Sequence, residues 1–312
     1  MIFILSDTYD TGTSQVIDWL IEKNAIFYRH NSTSEIKKVS FEIANDNDTL
    51  VSKLNDLDIN NISVFWYRKG DFSNSFILKN NKILNITKFL YEEFSALKDY
   101  ILYILNKKKR LGNFFNKTPN KLITLEIAKD CGLKIPNTNI MNQSEDICLI
   151  LNKQKNITKS IQDAFYLKKD SMSIVNFTNM VDVSFEFNTV FPSLLQKKIE
   201  KKIELRIVFI NDKCFSSALF SQSRSSSRVD SRKLQNETPY RVVPFRLPSK
   251  QVEKVICLMK NLDLNFGVID MIIGNDNEYY FLEVNPCGQF SFVSIKCNYY
   301  LEKIIASFLN SK

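Results

Sequence analysis

The stretch that most constrains this chain is Phe266 to Phe290, FGVIDMIIGNDNEYYFLEVNPCGQF. Two apolar, β-branched and aromatic runs flank the polar tip Gly274-Asn275-Asp276-Asn277, the pattern of a β-hairpin. Pairing Ile273 with Glu278 sets Asp270 opposite Phe281 and Val268 opposite Glu283. Because side chains alternate along a strand, Asp270, Glu283 and Asn285 then share one face. The other face, Ile269, Met271, Ile273, Tyr280, Leu282 and Val284, reads as core. Three hard oxygen donors without histidine suit Mg²⁺, which prefers carboxylates, water and phosphate oxygens. The competing reading is an edge hairpin with a solvated acidic face, and the hairpin alone leaves both open.

Composition narrows the chemistry. The 312 residues suffice for two or three compact lobes, and 44% hydrophobic with 24% charged residues is ordinary for a soluble globular protein. The single histidine, His30, leaves almost no material for His-based triads or His-rich metal sites. Six cysteines without a CxxC pair are expected as reduced thiols, not a zinc site or a disulfide framework. Chemistry must then run on carboxylates, lysines, arginines and a cofactor. A net charge of +8 favours acidic partners without choosing among nucleotide, peptide and nucleic acid. The opening MIFILSDTYD is expected as a first strand, not a signal peptide. The apolar stretch Ile83 to Leu105 carries Lys88, Glu92, Glu93, Lys98 and Asp99, so it reads as an amphipathic helix and not a membrane span. A cytoplasmic protein is expected.

Strands at 2–5, Ala25 to Tyr28 and Ile62 to Tyr67, with a helix from Ser14 to Glu22, make a small α/β lobe. Its first loop, DTYDTGTS, lacks GxGxxG and does not support a dinucleotide fold. Arg68 and Lys69 at the third strand's end are expected to be solvated, and His30 to be structural. The run Lys107 to Arg110 follows a helix end, where cations complement the dipole, and no interleaved aromatics suggest nucleic acid. Asn120 caps a helix carrying Leu122, Leu125, Ile127 and Ala128, ended by Gly132 with Pro136 beyond. Lys121 therefore sits in the first turn, against the helix dipole, where a bound anion would account for it. Residues 191–210 run from a strand through a polar hinge into a strand on which Glu204 and Arg206 share a face. The serine-rich, basic segment Ser221 to Arg232 reads as a loop, either a connector or a lid. Residues 250–263 and Tyr299 to Leu309 read as helices.

Taken in order, Asn120-Lys121 opening a helix that ends in GLKIPNT, Lys159 in ITKSI, Gln196 before the hinge, Glu204-Leu205-Arg206, and Asp270 with Glu283-Val284-Asn285-Pro286 resemble the ATP-grasp superfamily. Within it, WYRKGDF, SQSR with VDSR, FLEVNPCGQFSFVS and CNYYLEKIIA look like the peptide maturases that make graspetides. The closing segment is most similar to the grasp-with-spasm group. The resemblance implies an α/β architecture of α+β lobes: an amino-terminal pre-ATP-grasp domain (1–112), a central lobe (113–190) and a carboxy-terminal lobe (191–312), the last two clasping ATP. It implies that Lys121 and Lys159 hold the α- and β-phosphates, and that the backbone after Gln196, at Lys197 and Ile199, binds adenine. Glu204 is expected at the ribose, and Arg206 at the γ-phosphate and acyl phosphate. Asp270, Glu283 and Asn285 are expected to hold Mg²⁺, and Arg232 to face the substrate. Two departures, Ser231 in place of a large aromatic and Lys69 in place of a second arginine, fall among the substrate-facing positions.

The implied activity is ATP-dependent conversion of Asp or Glu side chains of a ribosomal precursor peptide to acyl phosphates. Attack by Ser or Thr hydroxyls or a Lys amine of the same peptide then closes ω-ester or ω-amide rings. The implied partners are the precursor, with leader and core, a second copy of the chain and a SPASM-domain protein, with no nucleic acid or membrane. Two rival readings are a ligase that adds a free amino acid to a protein or metabolite, and a non-catalytic basic binding module.

Overall fold

The structure is a computed structural model that describes residues 1–43, 52–74, 84–162, 166–169, 172–175, 178–181, 188–220 and 241–311. The amino-terminal lobe begins with β1 (Ile2–Ser6), α1 (Thr11–Glu22) and β2 (Phe27–Asn31). The short strands β3 (Glu35–Ile36), β4 (Val39–Phe41), β5 (Ser52–Leu54) and β6 (Leu57–Asp58) precede β7 (Val64–Tyr67), β8 (Ser73–Asn74), α2 (Leu84–Asn106) and β9 (Lys109–Leu111). Its main sheet is four-stranded and parallel, in the order β2-β1-β7-β9. Every residue of β1 and β7 is buried, which fits strands covered on both faces. Asp10 caps α1 by accepting from the Thr13 amide.

The middle of the chain supplies α3 (Lys121–Asp130), β10 (Thr138–Gln143), α4 (Ser144–Lys153), β11 (Asn156–Lys159), β12 (Tyr166–Lys169), β13 (Met172–Val175), β14 (Asn179–Met180) and β15 (Thr189–Lys197). An antiparallel sheet runs β10-β15-β11-β14, and β12 and β13 pair as a separate hairpin. Asn120 caps α3, its Oδ1 accepting from the Leu122 and Ile123 amides, and Gly132 ends the helix at φ +76°.

The carboxy-terminal sheet is five-stranded and antiparallel, in the order β18-β17-β16-β19-β20. Its strands are β16 (Lys201–Ile210), β17 (Lys213–Phe220), β18 (Arg241–Phe245), β19 (Phe266–Gly274) and β20 (Tyr279–Asn285), with α5 (Ser249–Asn261), α6 (Ser291–Cys297) and α7 (Leu301–Asn310). One face packs Leu205, Ile207, Ile269, Met271 and Phe281 against α5, and also takes Leu125 and Ala128 of α3. The other face is divided along its length. At one end Val208, Ile210, Phe266 and Val268 join Ile2, Ile4 and Trp66 of the amino-terminal sheet, sealed by Ile305 and Leu309 of α7. The rest of that face carries a charged row through Arg206, Asp270 and Glu283, with Ile272 and Tyr280 beyond it.

Several expectations need correction. The hairpin register differs from that read off a four-residue tip: Ile273 pairs with Tyr279, because Asn277 adopts φ +61° and adds a residue to the turn. A bulge at Leu282 adds another, so Asp270 lies opposite Glu283, not Phe281, and Val268 lies opposite Asn285. The slip inverts alternation beyond the bulge, so Phe281 enters the α5-side core where Leu282 and Tyr280 were expected. Arg68 is not solvated but fully buried. Cys131 and Cys257 form a disulfide across 126 residues, a pairing that spacing alone does not reveal. Lys109 and Arg110 lie in a strand and serve distant elements. Lys109 Nζ donates to the Phe308 and Ser311 carbonyls at the end of α7, and Arg110 pairs with Asp263. The helix α6 had no counterpart in the sequence reading. Among the described residues no helix is long and apolar enough to cross a membrane.

Candidate functional site

Residues directly opposed across an antiparallel ladder share a face. The pairings Ser217↔Arg206, Arg206↔Asp270 and Asp270↔Glu283 therefore draw one row across four strands of the carboxy-terminal sheet. The row continues off the sheet, where Lys121 Nζ lies 3.7 Å from Glu283 Oε2. Arg206 donates from Nη1 to both oxygens of Asp270, at 3.1 and 3.3 Å. Two adjacent carboxylates are thus flanked by a cation at each end. All four side chains keep partial access to solvent, between 23% and 29%. The bulge at Leu282 produces this row, turning Glu283 to the polar face while Phe281 stays in the core.

A second row lies one step toward the hairpin tip: Leu219, Glu204, Ile272 and Tyr280. Glu204 forms an ion pair with Lys201. Tyr280 donates its hydroxyl to Asp276 Oδ2 at 2.7 Å and packs its ring beneath Lys134. Ile272 and Tyr280 were missed as site residues, and only the bulge could have revealed that Tyr280 faces this way. Beyond them lies the hinge between β15 and β16. The Lys197 amide donates to Asn137 O at 2.8 Å, the Lys198 amide to Lys155 O at 2.9 Å, and Glu200 O accepts from the Asn275 amide at 3.0 Å. The hinge is therefore tied to both lobes. The Ile199 amide donates to no group among the described residues.

Gln196 is buried and donates from Nε2 to Thr138 Oγ1 at 2.9 Å. Lys159, opposite Leu194, shares a sheet face with Gln196, which lies opposite Ile157. The carbonyl after it, Ser160 O, accepts from Lys121 Nζ at 3.4 Å, so the end of β11 and the start of α3 converge. The Glu283 carboxylate and the dipole of this carbonyl offset Lys121's unfavourable place in the helix's first turn. Arg232 lies outside the described residues, as does the segment 221–240.

Asp270, at the middle of β19, and Glu283 and Asn285, at the end of β20, supply hard oxygens. Asn285 Oδ1 accepts from the Cys287 amide at 3.0 Å and keeps a second lone pair. Among the described residues no three His, Cys, Asp or Glu side chains cluster, so the candidate donor set is two carboxylates and one amide. Such a set suits Mg²⁺, which binds few protein oxygens and completes its shell with water and phosphate. A cleft of about 480 Å³ opens beside it, lined by Lys69, Lys117, Lys121, Gln162, Glu283 and Asn285 among others. It lies at the carboxyl ends of β1 and β7, the switch point of the amino-terminal parallel sheet, where open α/β sheets present ligands.

No protein-family model matches this chain, and no curated protein matches it. Solved structures do. A RiPP-associated ATP-grasp ligase from Chryseobacterium gregarium, solved with ADP and a leader and core peptide, superposes with a TM-score of 0.80 at 24% identity, covering 99% of this chain and 94% of its own. The macrocyclase MdnC from Microcystis aeruginosa, bound to precursor peptide MdnA, gives 0.74 at 22% identity, covering 99% of each chain. The ATP-grasp ligase PsnB, complexed with minimal precursor, Mg and ADP, gives 0.75 at 13% identity, covering 99% of this chain and 96% of its own. The chain has the fold of these ATP-grasp ligases.

Proposed function

We propose that this chain, an ATP-grasp fold over nearly its whole length, is an ATP-dependent peptide macrocyclase. It activates Asp or Glu side chains of a precursor peptide as acyl phosphates and closes ω-ester or ω-amide rings. The observation that carries this reading is the row Arg206, Asp270, Glu283 and Lys121. That row sets two adjacent carboxylates between two cations in a fold shared with ligases solved with ADP and precursor peptides.

In this reading Lys121 and Lys159 hold the α- and β-phosphates, the Ile199 amide meets the adenine edge, and Glu204 meets the ribose. Gln196 braces the hinge through Thr138, and Lys197 contributes its carbonyl, its amide being engaged with Asn137. Asp270, Glu283 and Asn285 hold Mg²⁺, which when bound neutralises phosphate charge. Arg206, which donates to Asp270, would stabilise the γ-phosphoryl group in transfer once that carboxylate served the metal. The peptide carboxylate oxygen attacks the γ-phosphorus and ADP leaves. A hydroxyl or amine of the same peptide then attacks the acyl carbon, phosphate departs with the bonding pair, and the nucleophile's proton passes to solvent. Positioning and charge neutralisation suffice, so no enzyme nucleophile is needed. Arg232 is assigned to the substrate. We assign domains of 1–112, 113–190 and 191–312, the grasp-with-spasm group, a homodimer and a SPASM-domain partner on the resemblance of the sequence motifs, and a cytoplasmic location on composition alone.

Incubation of the protein with ATP, Mg²⁺ and Ser/Thr- and Asp/Glu-rich peptides encoded nearby tests the reading by intact mass. The expected result is stepwise loss of one water per ring, abolished by Glu283→Gln. ATP turnover with gain of an amino acid on an acceptor would identify a ligase using a free amino acid. Absence of both in a folded sample would favour a binding module.

A further inference from the structure

We infer that Arg68 is a positioning residue for the metal-binding strand end, acting from the amino-terminal lobe through the loop that follows Asn285. The inference rests on the functional reading above. Arg68 lies just after β7 and is fully buried, as is Asp10, the N-cap of α1. Their charges meet at 3.2 Å. With its charge balanced inside its own lobe, the guanidinium spends its remaining donors on the other one. Nη1 donates to Cys287 O at 2.8 Å and to Gly288 O at 3.1 Å, and Nη2 donates to Gln289 Oε1 at 3.3 Å. The plane also stands over the rings of Phe266 and Phe290, 5.9 and 5.3 Å from their centroids.

Those acceptors lie between the metal donors and the arginine of the row. Asn285 begins the loop, and Gln289 O accepts from Arg206 Nη2 at 3.3 Å. The loop has little freedom to settle elsewhere, because a Cβ on Gly288 would sit 2.6 Å from Val268 Cβ. One buried fork therefore fixes both where Asn285 Oδ1 points and where the Arg206 guanidinium rests. Lysine cannot reproduce it, since an ammonium on a flexible stem lacks the planar pair of donors.

The test uses the full-length protein with Arg68→Lys, and Gln289→Ala as a milder second variant should the first not fold. Arg110→Lys serves as the control, since it breaks another contact between the same lobes without touching the loop. Two quantities are read: the Mg²⁺ concentration at half-saturation of ADP binding, against the affinity for ADP in EDTA, and amide exchange over 285–290 without nucleotide. In Arg68→Lys the half-saturating Mg²⁺ rises about 10-fold or more, as for loss of an outer-shell partner, while metal-free ADP affinity stays within about twofold. Exchange over 285–290 accelerates. Gln289→Ala shifts both in the same direction by less, and Arg110→Lys shifts neither.

Unchanged Mg²⁺ dependence in a folded Arg68→Lys would overturn the inference, as would equal losses of metal-free and Mg²⁺-dependent binding. An equal effect from Arg110→Lys would overturn it too. If Arg68→Lys does not fold, an unshifted Gln289→Ala overturns it. A wild-type protein that binds no nucleotide overturns the functional reading and the metal-positioning role together, while faster exchange in Arg68→Lys would still report the loop anchor.

Discussion

Charge at single residues decides what the polar face can do. Asp270 and Glu283 sit side by side, and Arg206 and Lys121 balance their charge from either end. In the proposed function both cations would turn to phosphate if a divalent ion were held by the carboxylates. His30 illustrates burial without function. Its ring lies 4.9 Å from Phe72 and stacks near Phe3 at 6.3 Å, and burial lowers its pKa below the ordinary 6.5, opposed in part by the Ser34 backbone. A depressed pKa on a base means that the unfolded chain binds the proton more readily. Stability is therefore full above about pH 6.5 and falls as the pH drops toward the folded value. Urea midpoints at about pH 7 and pH 5 should show this loss in the wild type and a smaller one in His30→Asn, measured as the difference between the two midpoints. Asp10 follows the opposite logic of a paired acid. Burial pushes its carboxyl up, but Arg68, Thr13 and Lys69 together hold it below the usual range.

At the scale of elements, the hairpin β19-β20 carries most of the site and departs most from a regular ladder. Its bulge lets consecutive odd positions face opposite sides of the sheet, Phe281 the core and Glu283 the charged row. The loop after it is equally constrained. Alanine at Gly288 would place its Cβ 2.6 Å from Val268 Cβ and Cγ2, in a strand packed on the amino-terminal lobe. Overpacking of this kind costs about 1–3 kcal/mol. Gly288→Ala is thus expected to lower the unfolding free energy by that amount and to weaken Mg²⁺-dependent nucleotide binding, read by denaturant titration and calorimetry. Unchanged values for both would show that the loop has slack.

At the scale of the whole molecule, one core joins the amino- and carboxy-terminal lobes. Ile305 of α7 packs among Ile4 and Trp66 on one side and Val208 and Phe266 on the other. Truncating it to alanine should cost about 2–5 kcal/mol. Because the cluster belongs to both sheets, the loss should appear in both: tryptophan fluorescence and amide exchange in β16 should shift together in Ile305→Ala. Separate transitions would show that the lobes unfold independently. Arg68 adds to this linkage through its donations to the Cys287 and Gly288 carbonyls, and leaving its buried charge without Asp10 costs about 3–5 kcal/mol.

The sequence by itself determined the local chemistry: the cap at Asn120, the αL stop at Gly132, alternation in β16 that pairs Glu204 with Arg206 on one face, and the carboxylates of the hairpin. These depend on neighbours within a few residues, where backbone preference and side-chain period act directly. The ordered motifs also pointed to the ATP-grasp fold, which the solved structures share. Only the tertiary structure decided the hairpin register, because an αL residue at Asn277 and a bulge at Leu282 each slip the ladder by one, and neither has a unique signature in the sequence. It also decided that Arg68 is buried and not solvated, and that Cys131 meets Cys257. Partners 219 or 126 residues away leave no local trace, since what sets their energy is the desolvated space they share in the folded chain.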